Sequence, residues 1–578
     1  MRSTTTNHLP RRSHARQSLS KNVTRSVSEG VRIVISRRFR PSLTLRVTCL
    51  RLFQQARQSV GSSIPAAHTL ASVATSILVL SLLIGSSASA AVKLPAVFAH
   101  HMVLQRDMTV PIWGWAEPGE EVTVSLAEQT KTVTSGADRK WLIKLDKLEA
   151  GGPHTLTVKG KNKLTVNDVM IGEVWLASGQ SNMVHIMPTT FDFAKEQPQA
   201  NYPGLRIFTV ARAVSQTPRD DCHGNWLVLS PTTVDDVSAV AYYFGRELNQ
   251  KLGVPVGVIV SALGSTPIEA WTSLDAQEDR PELQELFASW KQKSDEFDPA
   301  AAKATYEQEL AAWKVATTKA KADGKPAPRE PKAPMAPRDQ PQHPAVMFNG
   351  MIAPLIPTAM RGVIWYQGEF NAQSENNAAL YRRQLPLLIR DWRSHWQNDD
   401  LPFAWVQLPN FDTSTRSPRM TGWPLIRESQ LESLSVPHTG MIVSIDIGEA
   451  TGIHPRNKRD FGQRLALWAR AQVYGEKISW SGPLFSGFQV QGNTIELTFW
   501  HTDGGLVAKG GDLQGFEIAG LDQRWRPATA RIANLKVIVS SNDVAMPISV
   551  RYSWTDNPIG NLRNGADLPA SPFRTDGD

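Results

Sequence analysis

Residues 171–183 read Ile171-Gly172-Glu173-Val174-Trp175-Leu176-Ala177-Ser178-Gly179-Gln180-Ser181-Asn182-Met183. Ile171–Ala177 has the texture of a buried strand, and it runs into a glycine and a polar tripeptide. A strand that stops this way sets Ser181 on a tight turn at the top of a sheet, with Oγ able to face a cleft. Backbone N–H groups at such a turn can hold an oxyanion. The turn is not the Gly-x-Ser-x-Gly elbow of the α/β-hydrolases. Taken singly, a serine here is more often a turn or cap residue than a nucleophile.

The same texture recurs downstream. Strands are expected at Val258-Ile259-Val260, Gly362–Trp365, Phe403–Val406 and Met441–Ser444. Helical patterns lie between or after them, at Val240–Leu252, Leu380–Trp396 and Lys458–Tyr474. Alternation of this kind predicts an α/β fold with a parallel sheet. Ligands in such sheets sit at the carboxyl ends of the strands.

Two more motifs follow strand ends. One is Trp365-Tyr366-Gln367-Gly368-Glu369-Phe370-Asn371. Gln367 and Asn371 are neutral donors suited to an oxyanion or a sugar hydroxyl, and Glu369 is a carboxylate at a strand end. The other is Asp446-Ile447-Gly448-Glu449-Ala450-Thr451-Gly452-Ile453-His454-Pro455. A histidine between a loop and a helix can take the proton of a serine and return it to a leaving alcohol.

Around this core the pattern is β. Residues 91–168 read as an N-terminal β-sandwich, with Val122–Leu126 alternating apolar and polar and a turn at Glu117-Pro118-Gly119-Glu120. The α/β unit spans 169–477, and a C-terminal β-region spans 478–578. Residues 276–345 interrupt the α/β pattern. Leu283–Ala322 is rich in Ala, Lys and Glu and reads as helical, and Gly324–Pro344 is rich in Pro and charge. The segment reads as an insertion over one edge of the sheet, either a lid or a solvated spacer.

The chain has 578 residues, enough for two to four domains. Its net charge of +8 resides in the first 90 residues, which hold thirteen of the 62 Lys and Arg and one of the 54 acids. The remainder carries 49 bases and 53 acids, about −4, so no nucleic-acid partner is implied. Basic residues, an apolar run from Leu70 to Ile84 and Ala88-Ser89-Ala90 read together as a secretory signal cut after Ala90. The expectation is a secreted or periplasmic protein with no stable membrane span after signal removal. Cys49 leaves with the leader, and Cys222 remains alone. A cysteine nucleophile or a cysteine zinc site is therefore not expected. His100, His101 and His185 do not make a convincing metal set, and neither metal nor other cofactor is expected. Most of the 18 Trp belong in sheet cores, although flat indoles also suit sugar rings.

In combination the motifs resemble the sialate O-acetylesterase family, within the SGNH-type hydrolases. The blocks that carry the likeness are His101–Arg106, Gly179–Met183, Val240–Phe244, Gly264-Ser265-Thr266-Pro267-Ile268-Glu269-Ala270-Trp271, Trp365–Asn371 and Ile453–Lys458, in order. The likeness covers nearly all of 92–475. It implies a flavodoxin-like three-layer SGNH hydrolase domain flanked by β-domains, acting as a serine esterase on O-acetylated carbohydrates. It implies Ser181 as nucleophile, His454 as base, and oxyanion donors from the N–H groups of Ser181 and Gly264 and from Gln367. Gln180, Asn182, Asn371 and Trp271 are expected to bind substrate. Trp271, Tyr366, Phe370 and Trp423 are the aromatic candidates for a sugar surface.

Two departures stand out. Ser265 replaces the second glycine of the family's Gly-Gly-Thr, and Thr451 stands where SGNH enzymes often carry an Asp three residues before the histidine. The triad acid is then Glu369, with Asp446 next and Glu449 also available, or a Ser–His dyad oriented by a backbone carbonyl. Within the same chemistry the alternative substrate is acetyl xylan or pectin. From another class, the alternative is a non-catalytic carbohydrate-binding surface protein on a decayed esterase fold. The polar residues around the motifs disfavour a lipase.

Overall fold

The computed structural model describes residues 91–416 and 419–577. The expected leader, its cleavage site and Cys49 lie outside the described residues. The described residues all belong to one compact unit.

Six strands precede the stretch quoted first: β1 (Val103–Gln105), β2 (Val110–Trp115), β3 (Glu121–Leu126), β4 (Gln129–Thr134), β5 (Lys140–Leu145) and β6 (Gly151–Lys159). Alternating side chains of β3 and β5 point into a core, as period-two sequences require. The next strand, β7 (Lys163–Gly179), is 17 residues long. Its first half pairs with β6, and residues 175–179 lie between two strands of a second layer. The texture change read near residue 170 is thus a change of neighbours along one continuous strand, with Asp168 at φ 57° at the transition.

The second layer is built from β8 (Tyr202–Val210), β9 (Gly224–Leu229), β10 (Val256–Ala262), β11 (Gly362–Tyr366), β12 (Phe403–Val406) and β13 (Thr439–Ile442) together with β7. Their order is β13-β12-β11-β7-β10-β8-β9. All neighbours are parallel except β8 and β9, which form an antiparallel pair at the edge. The expectation of an α/β protein holds at this level: a mixed central sheet with further β-sheets around it. The β8–β9 hairpin has no counterpart in the sequence reading.

Every residue of β10, β11 and β12 is buried, which explains their unbroken apolar runs. Helices cover both faces. The longer helices are α1 (Ala239–Leu252), α2 (Gln284–Asp295), α3 (Pro299–Ala322), α4 (Glu375–Trp396), α5 (Trp423–Glu432) and α6 (Lys458–Trp468), of which α3 buries no residue and so takes no part in covering the sheet. Ser238, Ser374 and Asn457 cap α1, α4 and α6 by accepting backbone N–H bonds. Trp175 packs edge-on against Phe244 of α1 and Trp468 of α6. Trp365 lies opposite Ser178 in register, so it faces the other side of the sheet, where it meets Trp392 of α4. Each of these two sheet indoles donates its N–H, Trp175 to Tyr474 and Trp365 to Tyr381.

The segment read as a helical and Pro-rich insertion contains α2 and α3, separated by the Asp298 cap, and a stretch with one 3₁₀ turn at Pro337–Asp339. Beyond residue 483 two four-stranded antiparallel sheets enclose a separate apolar cluster that includes Leu497, Val537 and Tyr552. Arg427 is fully buried and donates to the carbonyls of Leu408, Pro409, Thr555 and Asp556, joining this region to the central layer. No helix among the described residues is long and apolar enough to cross a membrane.

Candidate active site

The carboxyl ends of β10, β7 and β11 meet where the chain winds outward in both directions, and the sequence motifs converge there. Gly179 ends β7 with φ 133°, and a Cβ at this position would lie 2.1 Å from the Tyr366 carbonyl oxygen. Only glycine tolerates that approach. Gln180 N–H donates to the same carbonyl, and Ser181 then opens a one-turn helix, Ser181–Val184.

His454 arrives from the loop between β13 and α6. Its Nε2 lies 2.9 Å from Ser181 Oγ. Burial, with the positive charges of Lys458 and Arg416, holds the His454 imidazole below its usual range. The ring stays neutral and able to accept a proton. The ring of His185 stands 4.4 Å from that of His454, and burial depresses its pKa to about 4.

The Ser181 and Gly264 N–H groups donate to no other group among the described residues. Gly264 lies against Ser181: a Cβ built on it would stand 3.2 Å from Ser181 Cβ. Leu263 N–H donates to the Gly179 carbonyl and fixes this loop to the end of β7. Ser265 takes a left-handed conformation, φ 61°, with its side chain exposed. The departure from glycine therefore leaves the backbone path in the left-handed region.

Other expected site residues take different places. Gln367 is fully buried, and its amide is engaged: Nε2 donates to the Thr266 carbonyl and Asn371 Oδ1, and Oε1 accepts from Tyr381. An amide with both hydrogens committed has none for an oxyanion. Its place is to lock the loops that follow β10 and β11 together. Asn371 continues that lock, accepting from Ile268 N–H and donating to the buried Glu269. Asn182 is also fully buried, so it does not meet substrate. It donates to Glu369 and to the Ile453 carbonyl, and accepts from Lys458. Gln180 accepts from Phe370 N–H, and its own amide N–H group has no partner among the described residues.

Neither carboxylate expected to complete a triad reaches His454. Glu369 is buried against Asn182, and burial raises its pKa. Asp446 is held in a double ion pair by Arg464 and Arg563, at 2.7 Å each, the second from the C-terminal region. Glu449 accepts from Arg456. No hydrogen bond to His454 Nδ1 occurs among the described residues. Ser181 and His454 stand as a hydrogen-bonded pair with no carboxylate on the imidazole among the described residues.

The aromatic expectation divides in the same way. Trp271, Tyr366 and Trp423 are fully buried, and only Phe370 reaches a surface cleft. Trp271 donates to Thr266 Oγ1, and Trp423 donates to the Pro409 carbonyl. Of the histidines once weighed for a metal, His101 pairs with Asp168 and His100 accepts from Asn167 N–H.

Sequence reasoning missed Lys458. It is fully buried, its ammonium sits 5.4 Å from the ring centres of Tyr366 and Phe461, and burial lowers its pKa to about 7. The signal present was its place at the end of the Ile453–Lys458 block.

A serine hydrogen-bonded to a neutral imidazole, at the head of a parallel sheet with free N–H groups beside it, is the equipment of a carboxylic ester hydrolase. The comparisons agree. The family model described as "Carbohydrate esterase, sialic acid-specific acetylesterase" matches residues 346–470. The sialate O-acetylesterase of Mus musculus is 30% identical over 553 residues, covering 85% of this chain and 95% of its own. That of Rattus norvegicus is 29% identical over 545 residues, covering 82% and 92%. A carbohydrate acetylesterase of known structure from Xanthomonas citri is 38% identical with a TM-score of 0.71, covering 84% of this chain and all of its own. The chain belongs to the sialate O-acetylesterase family.

Proposed function

We propose that the protein is an exported serine esterase that hydrolyses O-acetyl esters of carbohydrates, sialate O-acetyl groups among them, through an acetyl-enzyme on Ser181. The observation that carries this reading is the 2.9 Å contact between Ser181 Oγ and His454 Nε2, in a chain of this family. His454 takes the Ser181 proton as Oγ attacks the acetyl carbonyl. The N–H groups of Ser181 and Gly264 hold the oxyanion. His454 then protonates the departing sugar alcohol, and a water activated by the same ring releases acetate. Gln180, with its free amide N–H group, faces the substrate.

The order β10-β7-β11-β12-β13 is the 2-1-3-4-5 order of flavodoxin-like sheets, which supports an SGNH-type domain with the β8–β9 hairpin added at its edge. The flanking regions are an N-terminal β-domain and a C-terminal β-domain, and residues 1–90 are the export leader. An intact dyad with free N–H donors favours catalysis over a decayed, binding-only fold.

The test is acetate release by the purified protein from p-nitrophenyl acetate, O-acetylated sialic acid, acetyl xylan and acetyl pectin, beside Ser181→Ala. The expected result is release from at least one saccharide, reduced in the variant by about 10³-fold or more with the fold intact by circular dichroism. Equal rates for variant and parent would remove Ser181 from the mechanism. No release by the parent would favour the binding-protein reading.

A further inference from the structure

Residues 276–345 do more than space the sheet from solvent. Gln342 donates to the Ser265 carbonyl at 2.7 Å, beside the proposed oxyanion loop. Ala345 N–H donates to the Glu269 carbonyl, and Gln277 donates to the carbonyls of Glu269 and Thr272. Trp290 of α2 is buried, 5.2 Å edge-on from His343, with Lys293 over its ring. A solvated spacer has no reason to bury an indole or to be fastened at both ends to the catalytic loops.

Between this segment and the start of α4 lies a cleft of about 880 Å³. It lies toward the top of the range of about 300–1,000 Å³ for small-molecule sites, more room than one acetylated sugar needs. Its lining includes Pro267 and Phe370, from the loops that carry Gly264 and Gln367. One wall carries Gln373, Asn376 and Asn377, all exposed, beside Arg382 and Arg383, and the other is the insertion, with Gln342 and Trp290 beside Glu282, Glu285 and Lys293. Side-chain amides offer a donor and an acceptor each, which matches hydroxyls that do both. Aromatic faces suit the C–H faces of sugar rings, and Phe370, half-buried at the edge of the cleft, offers one.

We infer that residues 276–345 and the start of α4 together form a saccharide-binding cleft that holds the sugar units beyond the acetylated one, so that the preferred substrate is an acetylated oligosaccharide rather than a free monosaccharide. This inference rests on the esterase reading for its catalytic arm.

Two ladders test it: O-acetylated sialic acid against O-acetylated sialyllactose, and acetylated xylose against acetylated xylotetraose. The expected result is a kcat/KM at least tenfold higher for the longer member of one ladder. Gln373→Ala/Asn376→Ala should erase most of that ratio, with the loss on the oligosaccharide exceeding that on the monosaccharide. A flat response on both ladders, or a variant that lowers both members equally, overturns the cleft. If the parent releases acetate from no saccharide, the esterase reading fails by itself. Calorimetry with unacetylated sialyllactose and xylotetraose then decides the cleft. Binding weakened tenfold or more in the double variant supports it, and no binding to the parent overturns it.

Discussion

Lys458 Nζ stands 2.5 Å from Asn182 Oδ1, inside the protein and one residue from Ser181. The other end of the Asn182 amide donates to Glu369. A buried amine and a buried carboxyl are thus joined through the residue that follows Ser181; burial works against the charge on each, and each charge favours the other. Lys458→Met leaves the Asn182 carbonyl and Glu369 without that partner. The expected outcome is a fall in kcat of about tenfold or more with KM little changed, because a misplaced Oγ loses rate before affinity. Steady-state kinetics with a soluble acetyl ester read the split.

The pH profile follows from the same surroundings. Burial, Lys458 and Arg416 all hold His454 below its ordinary value of 6.5, so the base remains neutral in mildly acidic solution. The acid limb of kcat/KM should therefore lie below 6.5, and Lys458→Met should move it upward. The neighbouring His185 affects stability. Its pKa is about 4 folded against about 6.5 unfolded, so the unfolded chain binds a proton that the folded chain refuses. Stability should fall as the pH drops from about 6.5 toward 4, and His185→Gln should flatten that fall in thermal melts.

Asp446 bonds to two arginines and not to the imidazole. Asp446→Asn should keep kcat within about threefold while lowering Tm, where loss of a true orienting carboxylate costs about 10⁴. Glu449→Gln should behave alike in rate. A loss of several orders of magnitude in either would restore that carboxylate to a triad.

Gly264 adjoins Ser181 through backbone alone. A methyl group there would crowd Ser181 Cβ at 3.2 Å. Gly264→Ala should cut kcat by about tenfold or more, since a displaced N–H no longer meets the developing oxyanion, and one lost donor costs about 10²–10³ at most. Circular dichroism should show the fold retained.

Much of the chemistry was legible in sequence because each motif directly follows a strand, and a parallel sheet gathers its strand ends. That reasoning brought Ser181, His454 and Gly264 together from positions far apart in the chain. It could not say which way a loop side chain turns. Trp271 and Tyr366 looked like sugar platforms because they adjoin the site, yet both face the interior. Gln367 looked like a donor, yet its amide is used within the protein. The carboxylates were misread for a related reason: the arginines that claim Asp446 come from α6 and from the C-terminal region, partners that no local pattern reveals. The β8–β9 hairpin escaped notice because it adds to the edge without interrupting the alternation that defined the sheet.

The buried position of Trp271 carries its own expectation. Trp271→Ala should cost about 3–5 kcal/mol of stability, visible in denaturant melts, by opening a void beneath the loop that holds Gly264. A change confined to KM would instead return the indole to the substrate surface.

One strand, Lys163–Gly179, belongs to two layers at once. Its early residues pair with β6, and its last residue sets the turn that carries Ser181. A break within it would separate Ser181 from the part of the strand that pairs with β6. The amino-terminal β-layer and the turn at Ser181 are therefore one continuous piece of chain, and neither can be cut away without breaking the strand that holds the other.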